Sequence, residues 1–250
     1  MLDSYSLKKY AGDLNLYQTE KDYLQHIVLW RIYQSISTEL CFKGGTALQK
    51  VYNLGRFSED LDFTADSASQ KDPAKLDQKM TAIIERINDF YRTAYSKTTN
   101  QSSLSYKLKI EGPLYSKPQS IQTITIEISF REALSLNPEA MPVSPIYRDI
   151  SNYVVNIMNM EEILAEKVRA IMTREKARDL YDIYFLLSKR TKFNPKLADK
   201  KLTYYNLKYD KNAFLKRSAS LEIIWEKELQ PLMKNVPPFK PILELVKANV

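Results

Sequence analysis

The sequence is poor in the residues that form disulfides and histidine-based metal sites. Its 250 residues include one cysteine, Cys41, and one histidine, His26. A single cysteine cannot form an internal disulfide, which is typical of a protein kept in a reducing compartment. A single histidine cannot support a metal site built from several imidazoles. We interpret both as core residues, because Cys41 lies in an apolar run and His26 borders the apolar stripe of a predicted helix.

Long apolar runs are absent as well. No segment approaches the ~20 apolar residues that a membrane-spanning helix needs, and residues 1–10 lack the apolar core of a secretory signal. We therefore expect a cytoplasmic protein with no membrane partner. A length of 250 residues fits one large domain or two small ones.

Charge is distributed unevenly along the chain, whose net charge is +7. Residues 1–150 contain 18 basic and 18 acidic residues, whereas residues 151–250 contain 19 and 12. A basic C-terminal part indicates a polyanionic partner such as RNA or a nucleotide. A lysine-rich solvated surface is the alternative, and charge alone does not separate the two.

Glycine is scarce, and three of the five glycines, Gly44, Gly45 and Gly55, lie close together. Gly44, Gly45 and Thr46 follow the short apolar run 40–42 and precede the helix-like run 47–52, a pattern that predicts strand, tight turn and helix. Glycine lets the backbone approach a ligand closely, because it has no Cβ. Backbone N–H groups at a helix start suit a phosphate. The turn is therefore a candidate phosphate-binding site.

Acidic and apolar residues alternate directly after this helix. In a strand, residues two apart share a face, so Asp60 and Asp62 are predicted to project together while Leu61 and Phe63 face a core. Two adjacent carboxylates repel each other unless a cation lies between them. Mg²⁺ suits this position, because proteins hold it with one or two carboxylates plus substrate phosphates. For the bare Asp-x-Asp motif, a solvated strand end is the alternative.

The two motifs together, GGTAL at 44–48 and RFSEDLDF at 56–63, resemble the AbiEii/AbiGii nucleotidyltransferases. This family is a branch of the DNA polymerase beta-like superfamily, whose pattern is a Gly-Gly or Gly-Ser turn, a helix, and Asp-x-Asp on the next strand. Its members are toxins of toxin–antitoxin and phage-defence systems. The resemblance implies that Gly44, Gly45 and Thr46 bind the β- and γ-phosphates of an NTP through backbone N–H groups and the threonine hydroxyl.

A later part of the chain extends the resemblance, which covers roughly residues 20–190. A helical lysine, Lys167, and an Arg-Asp-x-x-Asp pattern on the following helix match the family's later motifs. The resemblance implies that Lys167 contacts nucleotide phosphates and that Asp179 positions it or the substrate, with Arg178 and Asp182 in support. A charge network on a helix surface is the alternative, since residues three apart share a helix face.

Two further residues are candidates for the site. Glu127 alternates with isoleucines on the predicted strand 121–130 and is a candidate third carboxylate beside Asp60 and Asp62. The superfamily often has an acidic residue there that polarises the attacking hydroxyl; an exposed strand glutamate is the alternative. Ser58 lies two residues before Asp60 and is a candidate phosphate ligand.

Hydrophobic periodicity and turn residues predict an α+β fold. It comprises a nucleotidyltransferase-type mixed β-sheet with flanking helices, followed by a helical C-terminal part. We predict domains at 1–158 and 159–250, the second completing the active site. Helices are predicted at 18–36 with Thr19 as the cap, from 46, at 73–94, 160–172 and 177–189, with about four more in 194–250. Strands are predicted at 40–42, 60–63, 104–110, 121–130 and around 153–155, and a polar loop at 65–72.

The predicted reaction transfers a nucleoside monophosphate from an NTP to an RNA hydroxyl, releases pyrophosphate, and uses Mg²⁺ as cofactor. The resemblance implies the 3′ end of tRNA as the acceptor and a cognate antitoxin as a partner. One alternative is a nucleotidyltransferase that modifies a protein or a small molecule. Another is a non-catalytic nucleotide- or nucleic-acid-binding module on the same scaffold, although binding alone needs no acidic pair.

Overall fold

The computed structural model describes residues 1–250, which form two compact units. The first, called the sheet unit, comprises Met1–Asn53, Phe57–Leu134 and Pro138–Ile157. The second, called the helical unit, comprises Leu54–Arg56, Ser135–Asn137 and Met158–Val250. Two short segments that precede residue 158 therefore belong to the helical unit. That 1–158 and 159–250 are separate domains stays a prediction.

One mixed sheet of seven strands forms the centre of the sheet unit. The strands are β1 (Leu40–Lys43), β2 (Leu61–Ala65), β3 (Thr93–Asn100), β4 (Ser103–Ile110), β5 (Gln122–Ser129), β6 (Glu139–Val143) and β7 (Tyr153–Ile157). Their spatial order is β3-β4-β5-β2-β1-β7-β6. Near the middle, β2 pairs antiparallel with β1 and parallel with β5. The predicted mixed sheet with flanking helices is confirmed.

Five helices accompany the sheet. They are α1 (Ser4–Lys8), α2 (Leu16–Ser35), α3 (Gly44–Tyr52), α4 (Ser67–Lys71) and α5 (Pro73–Glu85), which continues as a 3₁₀ turn over Arg86–Asp89. Ile124, Ile126 and Ile128 of β5 are fully buried, as their alternation predicts. Because that face is buried, Glu127 between them belongs to the opposite, solvent-facing side.

The helical unit contains six helices. They are α6 (Met160–Thr173), α7 (Ala177–Ser188), α8 (Pro195–Thr203), α9 (Lys211–Ser220), α10 (Glu222–Leu229) and α11 (Phe239–Asn249). The last four correspond to the weaker helices predicted within 194–250. No helix of the protein combines the length and apolar character that crossing a lipid bilayer requires.

Two predicted helix ends are wrong. The cap of α2 is Asn15 rather than Thr19: the Asn15 side chain accepts the N–H of Gln18, and the Gln18 side chain accepts the N–H of Asn15. This reciprocal capping box begins the helix one turn earlier than its apolar stripe does. The helix predicted over 73–94 ends at Glu85, because the residues of β3 pair along their whole length with β4.

The predicted loop and a proline-rich stretch both contain regular structure. The polar loop 65–72 holds the last residue of β2 and the short helix α4, which Asp66 caps by accepting the N–H of Ser69. The chain has prolines at 138, 142 and 145, yet this stretch contains β6, with Pro142 inside the strand. A proline is tolerated there because β6 is an edge strand, where a backbone N–H can face solvent.

The lone histidine lies in a buried polar cluster of the sheet unit. Its Nδ1 is 2.8 Å from the hydroxyl of Tyr153, and its Nε2 is 3.8 Å from the carboxylate of Asp22. Asp22 also forms an ion pair with Lys50. Burial, followed by the positive charge of Lys50, lowers the pKa of His26 to about 3, outweighing the opposite effect of Asp22. His26 is therefore neutral in the folded protein near pH 7.

This lowered pKa predicts a loss of stability in mild acid. In the unfolded chain His26 takes up a proton below its ordinary pKa of 6.5, whereas the folded protein resists protonation down to about 3. The free energy of unfolding should therefore fall by about 1.4 kcal/mol per pH unit once the pH is well below 6.5. Urea denaturation between pH 7 and 5 measures this slope.

His26→Gln is the matched control, because it removes the only histidine and leaves every carboxylate in place. Burial raises the pKa of Glu20, which contributes a slope of opposite sign, but both proteins share that contribution. The variant should therefore show a flatter pH dependence by the amount that His26 supplies. Equal slopes in the two proteins would contradict the assignment.

Candidate active site

The glycine turn lies between β1 and α3. Gly44 is the first residue of α3 and has φ of +75°, a conformation that favours glycine. The side chain of Lys43, the residue at the cap position, makes no capping hydrogen bond to this helix start. The N–H groups of a first helical turn have no partner within the helix, and such groups suit an anion.

The carboxylate of Asp62 lies directly against this turn. Lys43 and Asp62 are opposite each other in the antiparallel pairing of β1 and β2. A Cβ added to Gly44 would lie 2.5 Å from Oδ2 of Asp62, closer than any real contact allows. The absence of a side chain at position 44 is therefore what lets the Asp62 carboxylate approach the start of α3.

A row of polar residues crosses four neighbouring strands at the level of Asp62. Lys43 of β1 pairs with Asp62 of β2, which pairs with Glu127 of β5, which pairs with Ser105 of β4. Directly paired residues share a face and neighbouring strands lie about 4.8 Å apart. Glu127 is exposed and accepts a hydrogen bond of 3.3 Å from the hydroxyl of Ser105. The structure thus brings Asp62 and Glu127 together.

Asp60 lies just before β2 rather than inside it, so the predicted strand start is one residue early. Its backbone carbonyl accepts a hydrogen bond of 2.5 Å from the hydroxyl of Thr46, which is completely buried. The Thr46 hydroxyl, predicted to contact phosphate, therefore connects α3 to the segment before β2. Its backbone N–H remains the group that an anion could use. Gly45 beside it is buried, and Ser58 is half-buried.

The acidic residues suit a hard cation. No three side chains of the histidine, cysteine, aspartate and glutamate types converge into a complete protein cage for a metal. Mg²⁺ needs no such cage, because it usually keeps several waters and binds one or two carboxylates plus substrate phosphates. The carboxylate of Asp62, beside a turn that suits phosphate, fits that donor set.

The helical unit contains a cluster of five charged residues, called the ion cluster, of which all but Arg174 are buried. Lys167 of α6 donates to Asp179 and Asp182 of α7, at 2.9 and 2.7 Å. Arg56 donates to both oxygens of Asp182 at 2.7 Å. Arg174 donates to both oxygens of Asp179, at 2.8 and 3.0 Å. Three cations and two carboxylates leave one positive charge in excess.

Burial and mutual attraction oppose each other in the ion cluster, and attraction prevails. Burial alone would raise the pKa of Asp179, but Lys167 and Arg174 hold it below its ordinary range. Burial alone would lower the pKa of Lys167, but Asp179 and Asp182 raise it above its ordinary value. Both groups are therefore charged at neutral pH. An exposed helix-surface network, the alternative for these residues, is wrong because both aspartates are fully buried.

Two members of the ion cluster, Arg56 and Arg174, were not among the predicted site residues. Arg56 is buried, and its guanidinium forms an ion pair with Asp182, which lies more than a hundred positions away in the sequence. Arg174 stands one turn before Asp179, a proximity that the sequence did contain. Arg178, predicted to support the site, is half-buried in the first turn of α7.

Substituting Gly44 provides a direct check on the geometry of the turn. Gly44→Ala places a Cβ on Oδ2 of Asp62 and forces an alanine into φ of +75°, so the carboxylate or the turn must move. We expect nucleotidyl transfer to fall by at least about 10²-fold, because displacements near 1 Å can cost that much. Steady-state kinetics and thermal unfolding measure the two effects.

Gly12→Ala is the control for this substitution. An added Cβ at Gly12 meets nothing within 4 Å, so activity and stability should stay unchanged. If Gly44→Ala transferred nucleotides as fast as Gly12→Ala, the close approach of Asp62 to the turn would have no role in the reaction.

A mixed sheet, a glycine turn between its first strand and the following helix, and paired acidic residues on adjacent strands define a nucleotidyltransferase-type fold. The family model described as nucleotidyl transferase AbiEii toxin, type IV toxin–antitoxin system, matches residues 28–247. The chain therefore belongs to the AbiEii nucleotidyltransferase toxin family, and the resemblance drawn from the motifs is confirmed. It follows that the protein is an enzyme of the nucleotidyltransferase class.

Solved structures show the same fold. The nucleotidyltransferase toxin MenT4 of Mycobacterium tuberculosis H37Rv is similar with a TM-score of 0.66 and 18% identity, covering 100% of this chain and 88% of MenT4. JHP933 of Helicobacter pylori is similar with a TM-score of 0.63 and 21% identity, covering 94% of this chain and 90% of JHP933. Among curated proteins, no sequence matches the chain.

Proposed function

We propose that the protein transfers a nucleoside monophosphate from an NTP to a hydroxyl at the 3′ end of a tRNA, in a magnesium-dependent reaction. The observation that carries this proposal is the carboxylate of Asp62, seated against Gly44 and paired in register with Glu127. A metal-binding carboxylate beside a phosphate-binding turn is the arrangement that this chemistry needs, because such reactions depend on positioning and charge neutralisation.

Each residue of the sheet unit takes one role in this proposal. The N–H groups of Gly44, Gly45 and Thr46 hold the β- and γ-phosphates, and Asp60 and Asp62 hold the metal. A bound Mg²⁺ supplies Lewis-acid stabilisation to the phosphate oxygens and the attacking oxygen. Ser58 is a further candidate phosphate ligand.

The bonds and the proton balance without a covalent intermediate. The RNA hydroxyl oxygen forms a bond to the α-phosphorus, and the bond from that phosphorus to the β-phosphate oxygen breaks. Pyrophosphate leaves with the electron pair of the broken bond. The carboxylate of Glu127 polarises the attacking hydroxyl and receives its proton.

For the helical unit we propose the roles that the family resemblance implies. Lys167 supplies positive charge to nucleotide phosphates as negative charge builds up, and Asp179 and Asp182 orient it. The excess positive charge of the ion cluster supports this role, because two carboxylates do not neutralise three cations. Arg178 supports Asp179 in the first turn of α7.

The basic composition of the helical unit supports RNA as the acceptor. Within residues 189–208 there are seven basic residues and one acidic residue. Six of the basic residues are exposed: Lys189, Arg190, Lys192, Lys196, Lys200 and Lys208. Exposed cations attract the phosphate backbone of a nucleic acid irrespective of its sequence.

We further propose a cytoplasmic toxin that a cognate antitoxin neutralises and that acts in phage defence. Membership of a type IV toxin–antitoxin family supports the antitoxin, and phage defence rests on the resemblance to phage-defence nucleotidyltransferases. The single cysteine, buried in β1, is typical of a reducing compartment.

The proposal is tested by incubating the purified protein with each of the four α-labelled NTPs, Mg²⁺ and total tRNA. We expect label on tRNA with a preference among the nucleotides, and none when EDTA replaces Mg²⁺. Label on protein, or on a small molecule from a cell extract, would instead favour the alternative acceptors. A folded protein that labels nothing would refute the proposal.

A further inference from the structure

The segment that carries Asp60 has no regular secondary structure. Residues 57–60 lie between the helical-unit segment Leu54–Arg56 and the start of β2. The backbone groups of such a segment have no ladder or helix partners, so side chains must satisfy them wherever water is excluded. The position of Asp60 therefore depends on the side chains that bind residues 58–60.

Three side chains from α2 and α3 bind this backbone. The Nε2 of Gln25 donates to the carbonyls of Ser58 and Glu59, at 3.0 and 2.9 Å. The Oε1 of Gln49 accepts the N–H of Ser58 at 2.8 Å. The hydroxyl of Thr46 donates to the carbonyl of Asp60. Every residue from 58 to 60 is thus held by at least one side chain.

The amide of Gln49 is held in one orientation. Its Nε2 donates to Asp22 at 3.2 Å, while its Oε1 faces the N–H of Ser58. Asp22 is itself fixed by an ion pair with Lys50 and by the hydroxyl of Tyr147 at 2.8 Å. A flipped Gln49 amide would place its oxygen against the carboxylate of Asp22 and its nitrogen against the N–H of Ser58. The buried cluster therefore determines which way the amide points.

Gln25 keeps its orientation despite an unsatisfied atom. The residue is completely buried, and its Oε1 has no hydrogen-bond partner. A buried unpaired oxygen is destabilising, and a leucine or methionine would fill the same volume without it. The two bonds from Nε2 to the backbone of 58–59 are therefore what a glutamine at this position supplies.

We propose that Gln25 and Gln49 are positioning residues for the metal-binding carboxylate of Asp60. The two glutamines bind the backbone just before Asp60, and the Thr46 hydroxyl binds the carbonyl of Asp60 itself. The main chain that carries the Asp60 carboxylate is therefore fixed. The inference rests on the proposed function, because it requires Asp60 to bind a divalent cation. Neither glutamine contacts substrate in this proposal; both act through the main chain.

The test compares three variants of the full-length protein. Gln25→Met and Gln49→Met remove the backbone contacts with little change in volume. Gln70→Met is the matched control, because Nε2 of Gln70 also donates to two backbone carbonyls, those of Ala65 and Glu132, at 2.8 and 3.1 Å. Ala65 is the last residue of β2, the end remote from Asp60.

The main readout is the dissociation constant of Mn²⁺, measured by electron paramagnetic resonance on the protein with a non-hydrolysable NTP analogue. We expect Gln25→Met and Gln49→Met to weaken Mn²⁺ binding by about tenfold, the lower end of what supporting residues of metal sites contribute. Their kcat should fall at low metal concentration and recover as the metal is raised. Gln70→Met should bind Mn²⁺ as the unmodified protein does.

Hydrogen exchange of residues 57–61 provides a second readout that does not depend on metal. Faster exchange is expected in Gln25→Met and Gln49→Met, with no change in Gln70→Met. Unchanged Mn²⁺ affinity in both folded variants would overturn the inference while leaving the proposed function intact. If the unmodified protein bound no Mn²⁺, the inference and the magnesium dependence would be overturned together. Should one variant fail to fold, the other decides.

Discussion

Asp62→Asn should lower kcat for nucleotidyl transfer by about 10³-fold, because charge stabilisation by a bound metal is worth several kcal/mol and each 1.4 kcal/mol is a factor of ten. Asparagine has nearly the same shape, so the contact with Gly44 and the pairing of β2 should persist. Only the negative charge is lost. Single-turnover kinetics with labelled NTP and RNA measures the effect, and thermal unfolding verifies the fold.

Glu59→Gln is the matched control. Glu59 lies in the segment that leads to β2, but its carboxylate faces Lys21 at 3.4 Å and is partly exposed. Its backbone carbonyl, which Gln25 binds, is unaffected by the substitution. Removing its charge should change kcat by less than about twofold, because this partly exposed carboxylate faces Lys21 and has no proposed contact with metal or nucleotide. Comparable losses in both variants would indicate a general charge effect and refute the role of Asp62.

Lys167→Met should destabilise the protein by about 3–5 kcal/mol, the usual cost of removing one partner from a buried ion pair. The substitution leaves the carboxylates of Asp179 and Asp182, both fully buried, with only the two arginines as counter-charges. Methionine fills much of the lysine volume, so the loss reports charge rather than a cavity. Urea denaturation monitored by circular dichroism measures it.

Lys176→Met is the comparison for this substitution. Lys176 pairs with Glu228 at 3.2 Å, and its side chain is 48% exposed. Exposed pairs contribute about 0–1 kcal/mol, so little stability should be lost. If Lys167→Met lost no more stability than Lys176→Met, the ion cluster would have no structural importance, and its conformation would have to be held by apolar packing alone.

The local parts of the site were predictable from sequence, and the distant pairings were not. The turn at Gly44 and the alternation around Asp62 are short patterns whose geometry follows from neighbouring residues. The isoleucines that alternate along β5 give the face on which Glu127 lies, but they do not show that β5 pairs with β2. The capping residue Asn15 was missed, although Gln18 three positions later completes the capping-box pattern.

The missed elements have specific physical causes. β3 is an edge strand whose residues are nearly all exposed, so it has no apolar alternation that could distinguish it from the end of a helix. The partners Arg56 and Asp182 are joined by tertiary structure alone, and a single sequence contains no trace of such a contact. The hydrogen bond from the Thr46 hydroxyl to the carbonyl of Asp60 likewise depends on how α3 packs against the residues before β2.

The lack of space between Gly44 and Asp62 restricts how the enzyme can be redesigned. A longer acid at position 62, such as glutamate, would project its carboxylate into the same gap that an alanine at position 44 would occupy. The sizes of the side chains at positions 44 and 62 therefore limit each other. An engineer who wishes to accommodate a larger ion such as Ca²⁺ will have to rebuild the bend and the acidic strand in one step.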